Sequence, residues 1–352
     1  MSDDKLKTAV LGLNDEGQLL LQAACESEHF QIQAVADKDT KLVEKTAAQY
    51  GCAAYDDYRQ LIIQNQLDCL VVAAGMHSCD EYVRMAMKKK FNVLKAAPPA
   101  RHFEEAAEFV RLAEDEGIQF AVANPRRFAD SFVALREILQ QGEAEHIFLI
   151  TAFCNAGNQP GPAWYTDPKL AGGGVLLRDC YQMVDQMLWN FPVPQQVYSV
   201  HTCQAADKQQ RLYLTEDTAV VTMKFSDTLV GSVVAFRRAG IEPRGEFLRI
   251  YGKGKILTVS STELTVSDGT GQARQPVRYE YDALGCMARL LENFALGILS
   301  PDEHVLCSSG RENLNNMAVI ESAYLSARTG FPEEPGRIMQ MASRGTAKPT
   351  SM

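Results

Sequence analysis

Lys7-Thr8-Ala9-Val10-Leu11-Gly12-Leu13-Asn14-Asp15-Glu16-Gly17, continued by the apolar helical stretch from Gln18 to Cys25, is the segment whose reading decides the fold. A short apolar strand that ends in a glycine turn and runs straight into a helix opens a dinucleotide-binding βαβ unit. Gly12 permits the tight turn, Gly17 lets helix and strand pack closely, and the helix N-terminus offers amides to a pyrophosphate. Asn14 stands where the G-x-G-x-x-G pattern has its middle glycine. Asparagine tolerates unusual backbone angles, but its side chain has to swing clear of a phosphate. Asp37 lies 20 residues beyond Gly17 at the end of the next apolar run, where a carboxylate accepts hydrogen bonds from a ribose diol. An anion there would repel a 2′-phosphate, so NAD is expected rather than NADP. The bland alternative is a Rossmann-like fold with an altered crevice.

Outward from this unit, the apolar runs Ile32–Ala36, Cys69–Ala74, Asn92–Leu94 and Gln119–Ala123 alternate with helical patterns at 40–50, 80–89 and 103–116. Continuous apolar strands alternating with amphipathic helices predict a doubly wound parallel sheet covered on both faces. After Asn124-Pro125 the rhythm changes. A helix at 128–140, a strand at 145–153, a Gly/Pro-rich loop at 156–174 and a helix at 175–190 precede several strands without intervening helices. Two helices close the chain, one with Leu284, Met287, Leu291, Phe294 and Ile298 on one face. The expectation is an α/β protein: a Rossmann domain at 1–124, an α+β domain with a large, mostly antiparallel, open-faced sheet at 125–333, and a loose tail at 334–352.

Composition narrows the function. The 352 residues carry a formal net charge of −9, which argues against nucleic acid, since phosphate binding wants a basic face. Nothing reads as a membrane span or signal peptide, and the nine cysteines show no metal-finger spacing. Scattered thiols of odd number suit a reducing, cytoplasmic setting. The histidines have no partner spacing for a metal, so no metal site is expected.

The ordering of these segments resembles the Gfo/Idh/MocA family, the relatives of glucose–fructose oxidoreductase and inositol dehydrogenase. The resemblance runs from about Lys7 to Glu333. It rests on Arg127-Phe128, on Trp164-Tyr165 followed by Gly172-Gly173-Gly174, on Glu216-Asp217, on Tyr251-Gly252-Lys253-Gly254-Lys255, and on the closing stretch from Glu321 to Gly330. It implies a nicotinamide-dependent oxidoreductase with a substrate, commonly a sugar or polyol, held between two domains, and a homodimer or homotetramer built through the second sheet. Cofactor contacts are expected from Gly12, Leu13, Asn14, Glu16, Gly17, Asp37, Ala74, Gly75, Ala97 and Pro98, and substrate contacts from Arg127, Tyr165, Arg178 and Gln182.

The departures from the family concern acid–base chemistry. Val93-Leu94-Lys95-Ala96-Ala97-Pro98 puts Ala97 at the family's lysine, and Arg178 and Gln182 take the places of its aspartate and histidine; Asp185 is kept, in a structural position. Gly75 and Cys79 replace a proline and a histidine after the third long strand. A positioned acid–base contributes about 10²–10⁴-fold to such chemistry, and alanine cannot titrate. Lys95 and Tyr181 are the substitutes considered. Lys95 shares a strand face with Ala97, although a solvated strand-end lysine is its default reading. Arg178 would attract a carboxylate or phosphate unless a neighbouring acid claims it. Two functional readings follow: an oxidoreductase with an atypical active site, acting on a sugar-like or carboxylated alcohol, or a catalytically silent relative serving as sensor, regulator or complex subunit.

Overall fold

A computed structural model describes residues 5–157, 162–204, 214–237, 245–268 and 276–344. The chain divides into two compact units, and neither is continuous in sequence.

Unit 1 comprises residues 1–100, 108–128 and 282–311. Its strands are β1 (Leu6–Leu11), β2 (Phe30–Ala36), β3 (Ala53–Tyr55), β4 (Cys69–Val72), β5 (Asn92–Ala96) and β6 (Phe120–Ala123). They form one parallel sheet in the order β3-β2-β1-β4-β5-β6. Strand order reverses beside β1, so the crevice at the carboxyl ends of β1 and β4 is the topological switch point at which such sheets bind ligands. The helices between them are α1 (Asp15–Glu26), α2 (Thr40–Tyr50), α3 (Tyr58–Gln64), α4 (Met76–Lys88) and α5 (Phe103–Glu116). The central strands have no polar side: Ala9, Val10 and Leu11 are fully buried, as are all four residues of β4. Short β3, with two exposed alanines, lacks the apolar run by which its neighbours are legible.

Strand β6 is a sheet edge, and the chain covers it from far away. Val122 donates its N–H to the Ser308 carbonyl at 2.9 Å, and Ala121 bridges Ser309. The helix Ala283–Leu299, far later in the chain, also belongs to this unit. Its Met287, Leu290, Leu291 and Phe294 are at most 5% exposed in the core that holds Leu20, Leu21 and Ala24 of α1. Unit 1 therefore takes back a segment that a single boundary near residue 124 leaves in the second domain. The apolar stripe of that helix fits either partner, and only tertiary packing decides.

Unit 2 comprises residues 101–107, 129–281 and 312–352. It contains α6 (Asp130–Gln140), β7 (Leu149–Asn155), the short α7 (Pro168–Ala171), a π-helical turn Val175–Asp179, and α8 (Tyr181–Asn190). Strands β8 (Gln196–Thr202), β9 (Thr218–Lys224), β10 (Val230–Phe236), β11 (Gly245–Gly252), β12 (Lys255–Val259), β13 (Glu263–Asp268) and β14 (Val277–Arg278) follow. With β7 they make an eight-stranded sheet in the order β14-β13-β12-β11-β7-β10-β9-β8, antiparallel except where β10 runs beside β7. Alternate residues of β9 and β10 are buried, and the others face away from the core.

Three helices close the chain: α9 (Ala283–Leu299), the one just placed in unit 1, then α10 (Gly310–Thr329) and α11 (Pro335–Arg344). The last corrects the expectation of a loose tail over 334–352. Pro335 supplies a fixed φ at the first helical position, and it is buried while Ile338 and Met339 are half-buried. Residues 345–352 lie outside the described residues. No helix among those described is long and apolar enough to cross a membrane.

Candidate dinucleotide and substrate site

In unit 1 the glycine turn is shaped by close contacts. Gly12 has φ +88°, and a Cβ there would lie 2.3 Å from the Ala74 nitrogen. A Cβ on Gly17 would sit 2.1 Å from the Gly12 oxygen. The Asn14 side chain folds back on the protein: its Oδ1 accepts the Gly17 N–H at 2.8 Å, and its Nδ2 donates to the Ala73 carbonyl at 2.8 Å. Asn14 is thus the N-cap of α1 and a tie between that turn and the exit of β4. The backbone N–H groups of Asn14, Asp15 and Glu16 find no acceptor among the described residues, as the first turn of a helix requires.

Asp37 is held against the same turn. Its Oδ2 accepts the Leu13 N–H at 2.7 Å and its Oδ1 accepts the Asp39 N–H at 3.0 Å. A carboxylate has about four lone-pair sites, so capacity remains for a diol. A cradle that any side chain at Gly12 would fill, three open amides and a neighbouring carboxylate fit a dinucleotide: the amides toward pyrophosphate, Asp37 toward the adenosine ribose. The edge of this crevice continues through Ala74 and Gly75, where Gly75 caps α4 without a side-chain bond, and through the cis peptide Ala97–Pro98.

Lys95 corrects the expectation of a solvated strand-end lysine. It is 1% exposed, because β5 is an interior strand and Lys95 lies opposite Val72 on β4 and Val122 on β6. Its ammonium donates to the Pro98 carbonyl at 3.3 Å. Glu16, half-buried on the first turn of α1, has its carboxyl raised to about 7 by desolvation, against the opposing pull of the Lys95 charge. Arg127 is 4% exposed, and its guanidinium donates to the Cys307 carbonyl. It fastens the chain after β6 to the returning segment of the same unit.

In unit 2 Arg178 lies on the π-helical turn and Gln182 on α8. Arg178 stacks on the Tyr165 ring with its guanidinium carbon 3.9 Å from the centroid. It donates to the Tyr165 carbonyl at 3.2 Å and to Asp179 Oδ2 at 3.3 Å. Arg237 shares Asp179 from the other side. Gln182 is half-buried, and its side chain makes no hydrogen bond to the described residues. Tyr181, weighed above as a substitute base, is instead a core residue. At 1% exposure its hydroxyl donates to Asn313 Oδ1 at 2.7 Å, while Asn316 donates to Asp185 Oδ1 at 2.8 Å. Tyr181 is spent on this buried network, and Asp185, fully buried, is structural.

A second buried cluster anchors the loop before α8. Glu216 accepts the N–H of Gly174 at 2.8 Å, that of Leu176 at 3.0 Å and the Tyr324 hydroxyl at 2.8 Å. Burial raises the Glu216 carboxyl, and those hydrogen bonds oppose the rise. His201 lies edge-on to Tyr324 with ring centroids 5.1 Å apart and shares a 2.7 Å hydrogen bond with Ser199 Oγ. Burial lowers its imidazole to about 4. Beside this cluster His102 lines a cavity of about 470 Å³ in unit 2. Sequence reading singled out neither the Asn313–Asn316 network nor the burial of Lys95. The available signal was a lysine inside the apolar run Val93-Leu94-Lys95-Ala96 of a central strand. No group of three or more His, Cys, Asp or Glu side chains among the described residues is placed to hold a metal.

One unit with a parallel sheet whose switch point lies beneath a glycine turn, and a second with a wide open sheet, define the class of two-unit, dinucleotide-binding oxidoreductase folds. Comparison with known proteins makes the assignment specific. Residues 6–124 match the model described as oxidoreductase family, NAD-binding Rossmann fold, and residues 132–258 match the GFO/IDH/MocA C-terminal domain. The chain belongs to the Gfo/Idh/MocA oxidoreductase family. It is 25% identical over 246 residues to D-glucoside 3-dehydrogenase of Escherichia coli, covering 68% of this chain and 70% of that one. It is 26% identical over 337 residues to D-xylose 1-dehydrogenase (NADP(+)) 2 of Haloferax volcanii, covering 94% and 98%. An oxidoreductase from Agrobacterium radiobacter, solved with NAD+, L-tartaric acid and magnesium, superposes with a TM-score of 0.81 at 17% identity, covering 95% of this chain and all of that one.

Proposed function

We propose that the chain is a nicotinamide-dependent oxidoreductase of Gfo/Idh/MocA type that transfers hydride to or from a sugar-like or carboxylated alcohol through an atypical active site. The observation that carries this reading is the unit 1 crevice, where open amides at the start of α1 and the Asp37 carboxylate fit the two ends of an adenosine diphosphate moiety. When bound, the dinucleotide supplies the hydride acceptor or donor. The chain's own part is to bind and orient it: Gly12 and Gly17 admit the backbone, Leu13 and Asp37 set the sugar end, and Ala74, Gly75, Ala97 and Pro98 border the other.

The carboxylate of Asp37 favours NAD over NADP, because a 2′-phosphate brought beside it adds like-charge repulsion. The relative from Haloferax is named for NADP(+), so the preference belongs to this chain's residues and is tested directly. Tyr165, Arg178 and Gln182 are the substrate-side candidates of unit 2. The Nε of Arg178 is buried without a hydrogen bond to the described residues, which leaves this cation a donor for an acidic group. L-tartaric acid, held by the Agrobacterium relative, is a carboxylated alcohol of that kind.

The second reading, a catalytically silent relative acting as sensor or subunit, is favoured by one observation. Ala97 and Gln182 carry no titratable group, Arg178 is paired with Asp179, and Tyr181 is locked in the core. The two readings separate in one series: calorimetry with NAD+, NADH and NADP+, then a screen of sugars, polyols and hydroxy acids for a change in nicotinamide absorbance. Binding with turnover supports the enzyme, and binding without turnover supports the silent relative. Assembly as a homodimer or homotetramer belongs to the same proposal. One face of the second sheet exposes Tyr198, Val200, Val220 and Val230, and a partner copy would cover them.

A further inference from the structure

Unit 2 holds a cavity of about 470 Å³, and the described residues that line it include neither Tyr165, Arg178 or Gln182 nor any part of unit 1. Its size falls in the range of about 300–1,000 Å³ in which small ligands are held. The walls are the end of edge strand β8 at His201, Glu216 before β9, the loop Gly172-Gly173, and α10 at Glu321, Tyr324 and Ala327. His201 sets the chemistry. Ser199 Oγ donates its one proton to the Val220 carbonyl at 3.2 Å, so in its 2.7 Å bond with His201 it accepts from Nε2–H. Burial keeps the imidazole neutral near pH 7. Nδ1 is then a lone-pair acceptor to which no described residue donates. Glu216 offers a second acceptor. Its Oε1 takes the Leu176 N–H and the Tyr324 hydroxyl, its Oε2 takes only the Gly174 N–H, and a carboxylate has about four lone-pair sites. Glu321 pairs with exposed Arg328 at 3.8 Å and accepts from the Phe103 backbone N–H. Each carboxylate thus has donors of its own, and no bare charge is left for a cation to neutralise. Single acceptor sites, a guanidinium donor and the carbon surfaces of Pro168, Leu214 and Ala327 remain. Hydroxyl groups both give and take hydrogen bonds, and the carbon skeleton that carries them covers apolar walls.

We propose that this cavity is a second ligand site, an effector site for a small neutral polyhydroxylated molecule, whose hydroxyls donate to His201 Nδ1 and to the open lone pair of Glu216 and accept from Arg328. The site needs no dinucleotide in unit 1. Its walls are tied to the turn that carries Arg178. The N–H groups of Gly174 and Leu176 end on Glu216, and that of Leu177 ends on the Tyr324 hydroxyl at 3.3 Å. A Cβ on Gly173 would lie 2.0 Å from the same hydroxyl, so the loop passes directly against the cavity wall. A ligand seated on Glu216 therefore steadies the acceptor on which that turn depends, and those amides should open less often when the cavity is filled.

Calorimetric titration of the full chain with sorbitol, free of nucleotide, reads the site, and ethanolamine serves as the cationic comparison. Sorbitol is expected to give saturable heat, with ethanolamine at least about tenfold weaker. Hydrogen exchange read by mass spectrometry should slow with sorbitol in the peptides spanning 172–178 and 321–328. Ala327→Leu fills the cavity and should abolish both effects, whereas Gln182→Ala, outside the cavity, should keep both. If Ala327→Leu proves unstable in urea, His201→Phe keeps a ring against Tyr324 but removes Nδ1, and is expected to weaken sorbitol about tenfold. No sorbitol heat, heat that survives Ala327→Leu, or tighter binding of ethanolamine overturns the proposal. Titration of the same preparations with NAD+ judges the dinucleotide crevice separately, since Ala327→Leu is expected to leave that affinity unchanged.

Discussion

At the scale of single residues the account depends on positions that admit no other side chain or charge. Gly12→Ala would place a methyl 2.3 Å from the Ala74 nitrogen at φ +88°. It is expected to cost about 1–3 kcal/mol of stability, read by urea denaturation, and to abolish dinucleotide affinity in the same preparation. Asp37→Asn removes the charge but keeps a hydrogen-bonding side chain. NAD affinity should fall about tenfold and the gap to NADP should narrow, as measured by calorimetry with both. An unchanged gap would mean that Asp37 does not face the adenosine sugar. Gly12, Gly17 and Asp37 were legible because their roles are set by local backbone and spacing. Lys95 was not, since its burial depends on β4 and β6, which pair with it from distant sequence. Tyr181 was misjudged for the same reason: its partners Asn313 and Asn316 lie more than a hundred residues away.

At the scale of elements, caps and buried clusters hold the site's supports in place. Asn14→Ala removes the α1 cap and should cost about 1 kcal/mol in chemical denaturation, more than an alanine at exposed Asp15. The β8–α10 contact carries a pH signature. The folded imidazole of His201 titrates near 4, below the ordinary value of 6.5. The unfolded chain therefore takes up a proton first as pH falls. The stability that this group contributes is present above about pH 6.5 and is lost progressively toward pH 4. His201→Gln should flatten that part of the urea-midpoint profile, and a profile no flatter than the wild type would place the imidazole in water. The alternation of strand and helix in unit 1 was readable in outline, since each buried strand is a run of apolar residues. The destination of α9 was not readable. Its stripe of Met287, Leu291 and Phe294 specifies that it packs, and the sheet topology specifies where. Helix α11 was missed because its composition is small and polar, although its apolar residues recur at helical spacing.

At the scale of the whole molecule, family membership and fold agree, and the remaining claim is that the fold still does what its crevice is shaped for. The open face of the second sheet predicts self-association. Val200→Lys with Val220→Lys, two residues paired across β8 and β9, should convert an oligomer into a monomer by light scattering. A wild-type monomer at the same concentration would remove that part of the proposal. The central claim is the dinucleotide site itself, and calorimetry of the full chain with NAD+ and NADH tests it most directly. The account predicts saturable heat with both forms, stronger than with NADP+ and lost in Gly12→Ala; no heat from either form at millimolar concentration would contradict it.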